Sequence, residues 1–222
     1  MTTAVSSPFR GKPTSGEGGS REIPSADAHE ARCVALIDLG THEETFQGSD
    51  PRKTRKVYVV WELDERLAGT TNNHLIGQEF TLSWHEKAGL RHVFEAVVNG
   101  GQKAGDEEID YEKLLGAAAM VTVAHQPSGD RTFARVAKGG VGVVPKSRRD
   151  KVFSPGRRPT AWYMGEDLAK LPDWLPWYYG APVAEKIRLS DEMRGPRASA
   201  PPRAAAAEGE APGASKANEP PF

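Results

Sequence analysis

Trp84-His85-Glu86 is the stretch of this sequence that most resembles a catalytic centre. A His-Glu pair opening a helix suggests zinc hydrolysis, but that chemistry needs a second histidine four residues after the first. Position 89 is Gly89, so the second ligand is missing. His29, His42, His74, His92 and His125 show no ligand spacing either. The single cysteine, Cys33, excludes an intrachain disulfide and a multi-cysteine metal site. Gly100-Gly101 and Gly139-Gly140 do not open a helix after a strand, so no phosphate-cradling loop is present. Asp106, Glu107, Glu108, Asp110 and Glu112 read as a solvated linker. The sequence describes a protein that is not an enzyme and calls for no cofactor or metal.

The cationic residues carry more information. From Arg131 to Arg158 there are nine Lys and Arg against one acid, Asp150, in a chain of formal net charge −1. Two readings fit this excess: a solvated loop, or a stripe that tracks phosphates and releases their counterions. Strand parity favours the stripe. With Ala134 and Val136 turned inward, Arg131, Phe133 and Arg135 share the outer face. An aromatic between two guanidiniums suits stacking a base while gripping its backbone. A core position is the other reading of Phe133. Tyr58, beside Arg55 and Lys56, repeats the arrangement. With Arg32, Arg52, Lys53 and Lys138, these residues make up the expected nucleic-acid-binding set.

The elements that must position them are mostly strands. "HEARCVALIDLG" places Ala31, Cys33, Ala35, Ile37 and Leu39 on one face. "RKVYVVWEL" alternates, with Val57, Val59, Trp61 and Leu63 inward and Lys56, Tyr58 and Glu62 outward. Phe80, Leu82 and Trp84 share a face of a third strand. A helix beginning at Glu86 follows. Ser83 and Glu86 have capping-box spacing, Leu90, Val93, Phe94 and Val97 form an apolar stripe, and Asn99-Gly100 supplies the stop. "DEEIDYEKLLG" contains a short helical turn and leads to "AAMVTVAHQ", the turn "PSGD" and a last strand, "RTFARVAKGGVGVV". The order is therefore β-β-β-α-β-β. It predicts a mainly β protein: a five-stranded OB-fold-like Greek-key barrel whose helix, between strands three and four, plugs one end. Such barrels bind nucleic acid strands across strands two and three and through the loops joining strands one–two and four–five. Here those loops are the basic "SDPRKTRK" and "PSGDR".

Composition sets the boundaries. A hydrophobic content of 38% is low for 222 residues, while Gly at 23 and Pro at 17 are high. A folded centre with disordered ends is expected: a disordered segment 1–27, the barrel over 28–150, an aromatic and basic extension over 151–193, and a disordered Ala/Pro/Gly-rich tail over 194–222. The extension holds three of the five tryptophans. Packing over the barrel is expected for Trp174 and Trp177, with a short helix from Ala184 to Met193; a docking surface or extra stacking area are the alternatives. The N-terminus lacks the apolar region of a signal peptide, and no run is long enough to span a bilayer, so a cytoplasmic setting is expected.

"RKVYVVWEL", "LSWHEKAGLRHVFEAV", "YEKLLGAAAMVTVAH" and "LPDWL…EKI" together resemble a family of small phage and prophage proteins. The resemblance covers roughly residues 28–192 and is most specific at the helix entry and the Leu-Leu-Gly turn. It implies an OB-fold protein that binds single-stranded DNA in phage replication or recombination, in the cytoplasm of a bacterial host. It assigns no contact residues; those above come from strand parity. The longer low-complexity ends depart from the family pattern. The final "NEPPF" resembles the ending of bacterial single-stranded-DNA-binding proteins, which makes Glu219, Pro220, Pro221 and Phe222 a candidate docking peptide for replication or recombination proteins. A featureless tail is the alternative. From a different class comes an OB-like interaction module of a phage replication complex that uses its Trp-rich extension and has no direct nucleic-acid role.

Overall fold

The computed structural model describes residues 22–45, 50–105 and 109–195. Its strands are β1 (Ala28–Glu44), β2 (Arg52–Arg66), β3 (Asn73–Thr81), β4 (Ala118–Ser128), β5 (Arg131–Gly142) and β6 (Thr160–Trp162). Helix α1 (Gly89–Val97) lies between β3 and β4, and short helices α2 (Lys146–Arg149), α3 (Val183–Arg188) and α4 (Asp191–Arg194) come after β5. Five strands form an antiparallel sheet in the order β3-β2-β1-β4-β5, and β6 joins β1 in parallel. The molecule is mainly β, with three strands, a helix and two strands in the expected chain order. The parallel strand β6 is an addition that the sequence reading lacks.

β1 serves three partners. β2 runs along one edge, while Ala28–Arg32 pair with β4 and Ala35–Ile37 with β6 on the other. Register shifts between Cys33 and Ala35 and between Asp38 and Gly40 mark irregularities in the β1–β2 ladder. The first shift corrects the expected faces of this strand. Ala31 and Cys33 join the main core with Leu36, whereas Ala35, Ile37 and Leu39 belong to a second core. One extra residue is enough to exchange the sides of everything after it.

β2 keeps its parity, and Val57, Val59, Trp61 and Leu63 lie in the main core as alternation predicts. The same core takes Leu90, Val93, Phe94 and Val97 of α1. Burying each of these side chains is worth roughly 1.5–3 kcal/mol, so the stripe fixes the helix firmly against the sheet. The entry to α1 differs from the expected capping box. The Ser83 hydroxyl accepts the His85 N–H in a local turn, the helix starts at Gly89, and its cap Ala88 makes no side-chain hydrogen bond. Leu82 and Trp84 lie beyond the end of β3, and Trp84 stacks on Tyr111 at a centroid distance of 6.0 Å. The stop is as expected: Gly100 has φ +68°, and the Gly101 N–H donates to the Glu95 carbonyl at 2.8 Å.

The other face of β1 and β2 is covered by the C-terminal segment. Val34, Ala35, Ile37, Leu39, Tyr58 and Val60 pack there against Trp162, Val183 and Ile187. Trp174 packs against this core, as expected, but Trp177 keeps 54% of its surface exposed. The expected terminal helix is two helices, α3 and α4, divided at Leu189-Ser190.

Candidate nucleic-acid interface

The β4–β5 hairpin carries the strongest candidate site. Ser128 and Arg131 close it, leaving Gly129-Asp130 as a two-residue turn with Gly129 at φ +58°. A glycine at the first central position matches the type II′ turn that suits twisted hairpins. Ala134 and Val136 pack against the main core. Alternation then turns Arg131, Phe133 and Arg135 to the opposite face, beside Ser128, Gln126 and Ala124 of β4. Phe133 is 37% exposed, so it is a surface residue of this hairpin. The pairing of β4 with β5 passes from Val123–Val136 to Val121–Val141, so residues 137–140 bulge from the ladder. Lys138 is exposed on that bulge.

Arg135 has a distinctive environment. Its guanidinium carbon lies 4.5 Å from the centroid of the Tyr179 ring, and its Nε is buried with no hydrogen-bond partner among the described residues. Among the described residues, Arg131, Arg135 and Lys138 form no ion pair. Three cations and a partly exposed ring therefore share one short hairpin, and among the described residues no carboxylate pairs with them. Such a surface can hold phosphates and stack an unpaired base.

The cations expected on β1 and β2 are differently placed. Arg32 donates to the carbonyls of Phe153 (3.1 Å), Gly116 (3.0 Å) and Val152 (2.9 Å), so it ties the chain after α2 to the sheet. Lys53 pairs with Asp191 at 2.7 Å, and Arg55 pairs with Asp38, whose hydrogen bond holds the guanidinium more firmly protonated. Lys56 is buried, 2.7 Å from Glu44 and 3.5 Å from Glu79. Partial burial works against ionisation of Glu44, yet hydrogen bonds from Lys56 and Thr54 hold its carboxyl below the ordinary value. Only Arg52 of this group is exposed with no ion pair among the described residues. Lys53, Arg55 and Lys56 are paired with carboxylates, and the Arg32 guanidinium is engaged by backbone carbonyls.

Tyr58 requires the largest correction. It was expected outward beside Lys56, but it is 3% exposed beneath Tyr178, at a centroid distance of 5.4 Å and an interplanar angle of 75°. Burial pushes its phenol up from the ordinary value. The ring lies across Gly77, where any Cβ would overlap it. Tyr58 is thus a core residue of the covered face, and no base can reach it in this arrangement.

The covering segment is fastened by buried polar contacts as well as apolar packing. Glu62, 1% exposed, accepts the backbone N–H groups of Gly156 (2.8 Å) and Arg157 (3.2 Å). Glu79 accepts the Tyr178 hydroxyl and lies 3.8 Å from the Lys186 ammonium. Burial, then the hydrogen bond to Glu79, push the Tyr178 phenol up.

No protein-family model matches this chain, and no curated protein matches it in sequence. The functional reading therefore rests on the chain's own residues. Among the described residues no group of three or more His, Cys, Asp or Glu could hold a metal ion, and no helix is long and apolar enough to cross a membrane. The candidate docking peptide Glu219, Pro220, Pro221 and Phe222 lies outside the described residues.

The sequence reading missed Tyr179, which stands beside Arg135 and is 60% exposed. A signal was present: Tyr179-Gly180 follows a run of aromatics and forms a two-residue turn closed by the Tyr178–Ala181 bridge.

Proposed function

We propose that this chain binds single-stranded DNA without sequence preference, through the outer face of the β4–β5 hairpin. The observation that carries the reading is the alternation Arg131-Phe133-Arg135 on a face whose inward partners, Ala134 and Val136, belong to the core. The exposed Phe133 ring offers stacking to any base, while Arg131, Arg135 and Lys138, without ion pairs among the described residues, supply the phosphate contacts. Strand order supports an OB-type barrel as the scaffold: β1 pairs with both β2 and β4, β5 approaches β3, and α1 connects β3 to β4. In this reading the β2–β3 face is not the path of the strand, because the C-terminal segment occupies it. A role in coating strands during phage replication or recombination, in the cytoplasm of a bacterial host, fits such a surface.

A second reading has its own observation. Trp177 and Tyr179 are exposed on the C-terminal segment, and aromatic side chains of this kind are common at protein interfaces. An interaction module using that segment would bind a protein partner and no DNA.

Titration of the intact protein against fluorescent oligo-dT and a duplex of equal length tests the proposal. Binding of the single strand at low salt, with the duplex weaker, is expected. Failure to bind the single strand at low salt would remove the proposal and leave the interaction module.

A further inference from the structure

The segment that covers the sheet also presents a residue to solvent in an unusual way. Tyr178 and Ala181 exchange backbone hydrogen bonds at 2.7 and 3.0 Å, so Tyr179 and Gly180 form the two central positions of a tight turn. Their φ values are +46° and +93°. Both positive is the pattern of a type I′ turn, whose first position ordinarily holds Asn, Asp or Gly. Among the described residues, Tyr179 is the only non-glycine residue with positive φ. A bulky residue there is an outlier, and its backbone strain must be held by its surroundings.

Those surroundings form a rigid stem. Buried Tyr58 supports Tyr178 edge-on, the Tyr178 hydroxyl is tied to Glu79, and Tyr178 meets Tyr179 at a centroid distance of 4.6 Å and 85°. Three tyrosines thus run from the second core to the surface. At the outer end Arg135 lies over the Tyr179 ring, yet that ring remains 60% exposed. A ring that served only to cover the sheet would be buried, and a turn chosen only for stability would carry a smaller residue at this position. What the arrangement supplies is a pre-ordered, open aromatic face beside Arg135, which forms no ion pair among the described residues.

We propose that Tyr179 stacks a base of the bound single strand, so that the C-terminal segment completes the nucleic-acid site begun by Phe133 on the hairpin. This rests on the hairpin reading above and extends it. Arg135 links the two parts: it shares the outward face of β5 with Phe133 and Arg131 and holds the Tyr179 ring. The ligand is an unpaired strand, because a paired base does not offer its π-face to a side chain.

Full-length wild type, Tyr179→Asn and Tyr179→Phe are titrated with fluorescent oligo-dT over a range of salt, with thermal melts as folding controls. Asn accepts the left-handed conformation, so Tyr179→Asn keeps the turn and removes only the ring. Tyr179→Asn is expected to bind about 5- to 150-fold more weakly, as loss of one base stack implies, with an unchanged salt slope. Tyr179→Phe is expected to stay within about twofold of wild type, because stacking needs the ring and not the hydroxyl. Wild-type affinity in a folded Tyr179→Asn protein would overturn the inference while leaving the hairpin reading intact. Tighter binding would overturn it too, because the ring would then be shielding Arg135. Absence of binding by the wild type would remove the hairpin reading and this inference with it.

Discussion

Tyr58 on β2 and Tyr178 of the C-terminal segment meet edge to face, with ring centroids 5.4 Å apart. This contact moves the aromatic that the sequence assigned to nucleic acid into the interior. It also gives a structural role to the segment that follows the five-strand sheet. The outer face of β1 and β2 is apolar, and residues 156–188 are what bury it.

Tyr58→Ala is expected to lower the stability of the protein by about 3–5 kcal/mol, the range for removing a buried aromatic ring. Residues 156–190 should become sensitive to protease under conditions where the wild type is resistant. Denaturant titration and timed proteolysis measure both effects. A loss of no more than about 0.5 kcal/mol, the size of an ordinary surface substitution, would contradict the buried placement.

Alkaline pH acts on the same contact. Tyr58 and Tyr178 are both raised above the ordinary tyrosine value of 10.0, by burial first and, for Tyr178, next by the hydrogen bond to Glu79. A folded-state value above the unfolded one means that the folded protein holds the proton more tightly. The associated stability is present in full below the unfolded value and is lost as pH rises past it. Melting temperature is therefore expected to fall steeply above about pH 10. The Tyr58→Phe/Tyr178→Phe pair should flatten that fall, at a cost of roughly 1.5–3 kcal/mol at neutral pH for the lost bond to Glu79.

Acid acts at the other end of the segment. The Glu192 carboxylate accepts the Thr41 backbone N–H at 2.8 Å and the Thr41 hydroxyl at 2.7 Å, which ties α4 to β1. Burial opposes ionisation of Glu192, but the two hydrogen bonds from Thr41 prevail and hold it below 4.5. A depressed folded value contributes stability that is complete above the unfolded value and is lost as pH falls through the folded one. Amide exchange at Thr41 is expected to accelerate as pH falls from neutral through the range where Glu192 takes up its proton, after correction for intrinsic exchange rates, by about fivefold for a bond worth ~1 kcal/mol. In Glu192→Gln the corrected rate should not depend on pH over that range.

Periodicity made the main core legible. The stripe of α1 and the inward residues of β2 follow from spacing alone, because each lies in an uninterrupted element. β1 was misread beyond Cys33 because a register shift leaves no mark in a run of small apolar residues. The outward side of β2 was misread for a different reason. Alternation shows which residues share a face, but whether the second face meets water depends on a segment a hundred residues away. Tyr58 therefore looks like a surface residue although Tyr178 packs over it, while Lys56 is buried beside Glu44 of β1 and Glu79 of β3. The hairpin face was readable because Ala134 and Val136 set its parity locally. Tyr179 was not, because its position beside Arg135 depends on the fold of the C-terminal segment.

In the proposed function, cations of the β4–β5 hairpin hold the phosphates of a single strand. The most direct measurement is the slope of log affinity against log salt concentration for oligo-dT, in wild type and in Arg131→Ala/Lys138→Ala. Neither side chain has an ion-pair partner among the described residues, so the fold should be unaffected. Each lost phosphate contact lowers the slope by about 0.7 on a single strand, so the double variant should be shallower by about 1.4 and bind more weakly at low salt. A slope identical to wild type would place the strand elsewhere on the molecule and contradict the account.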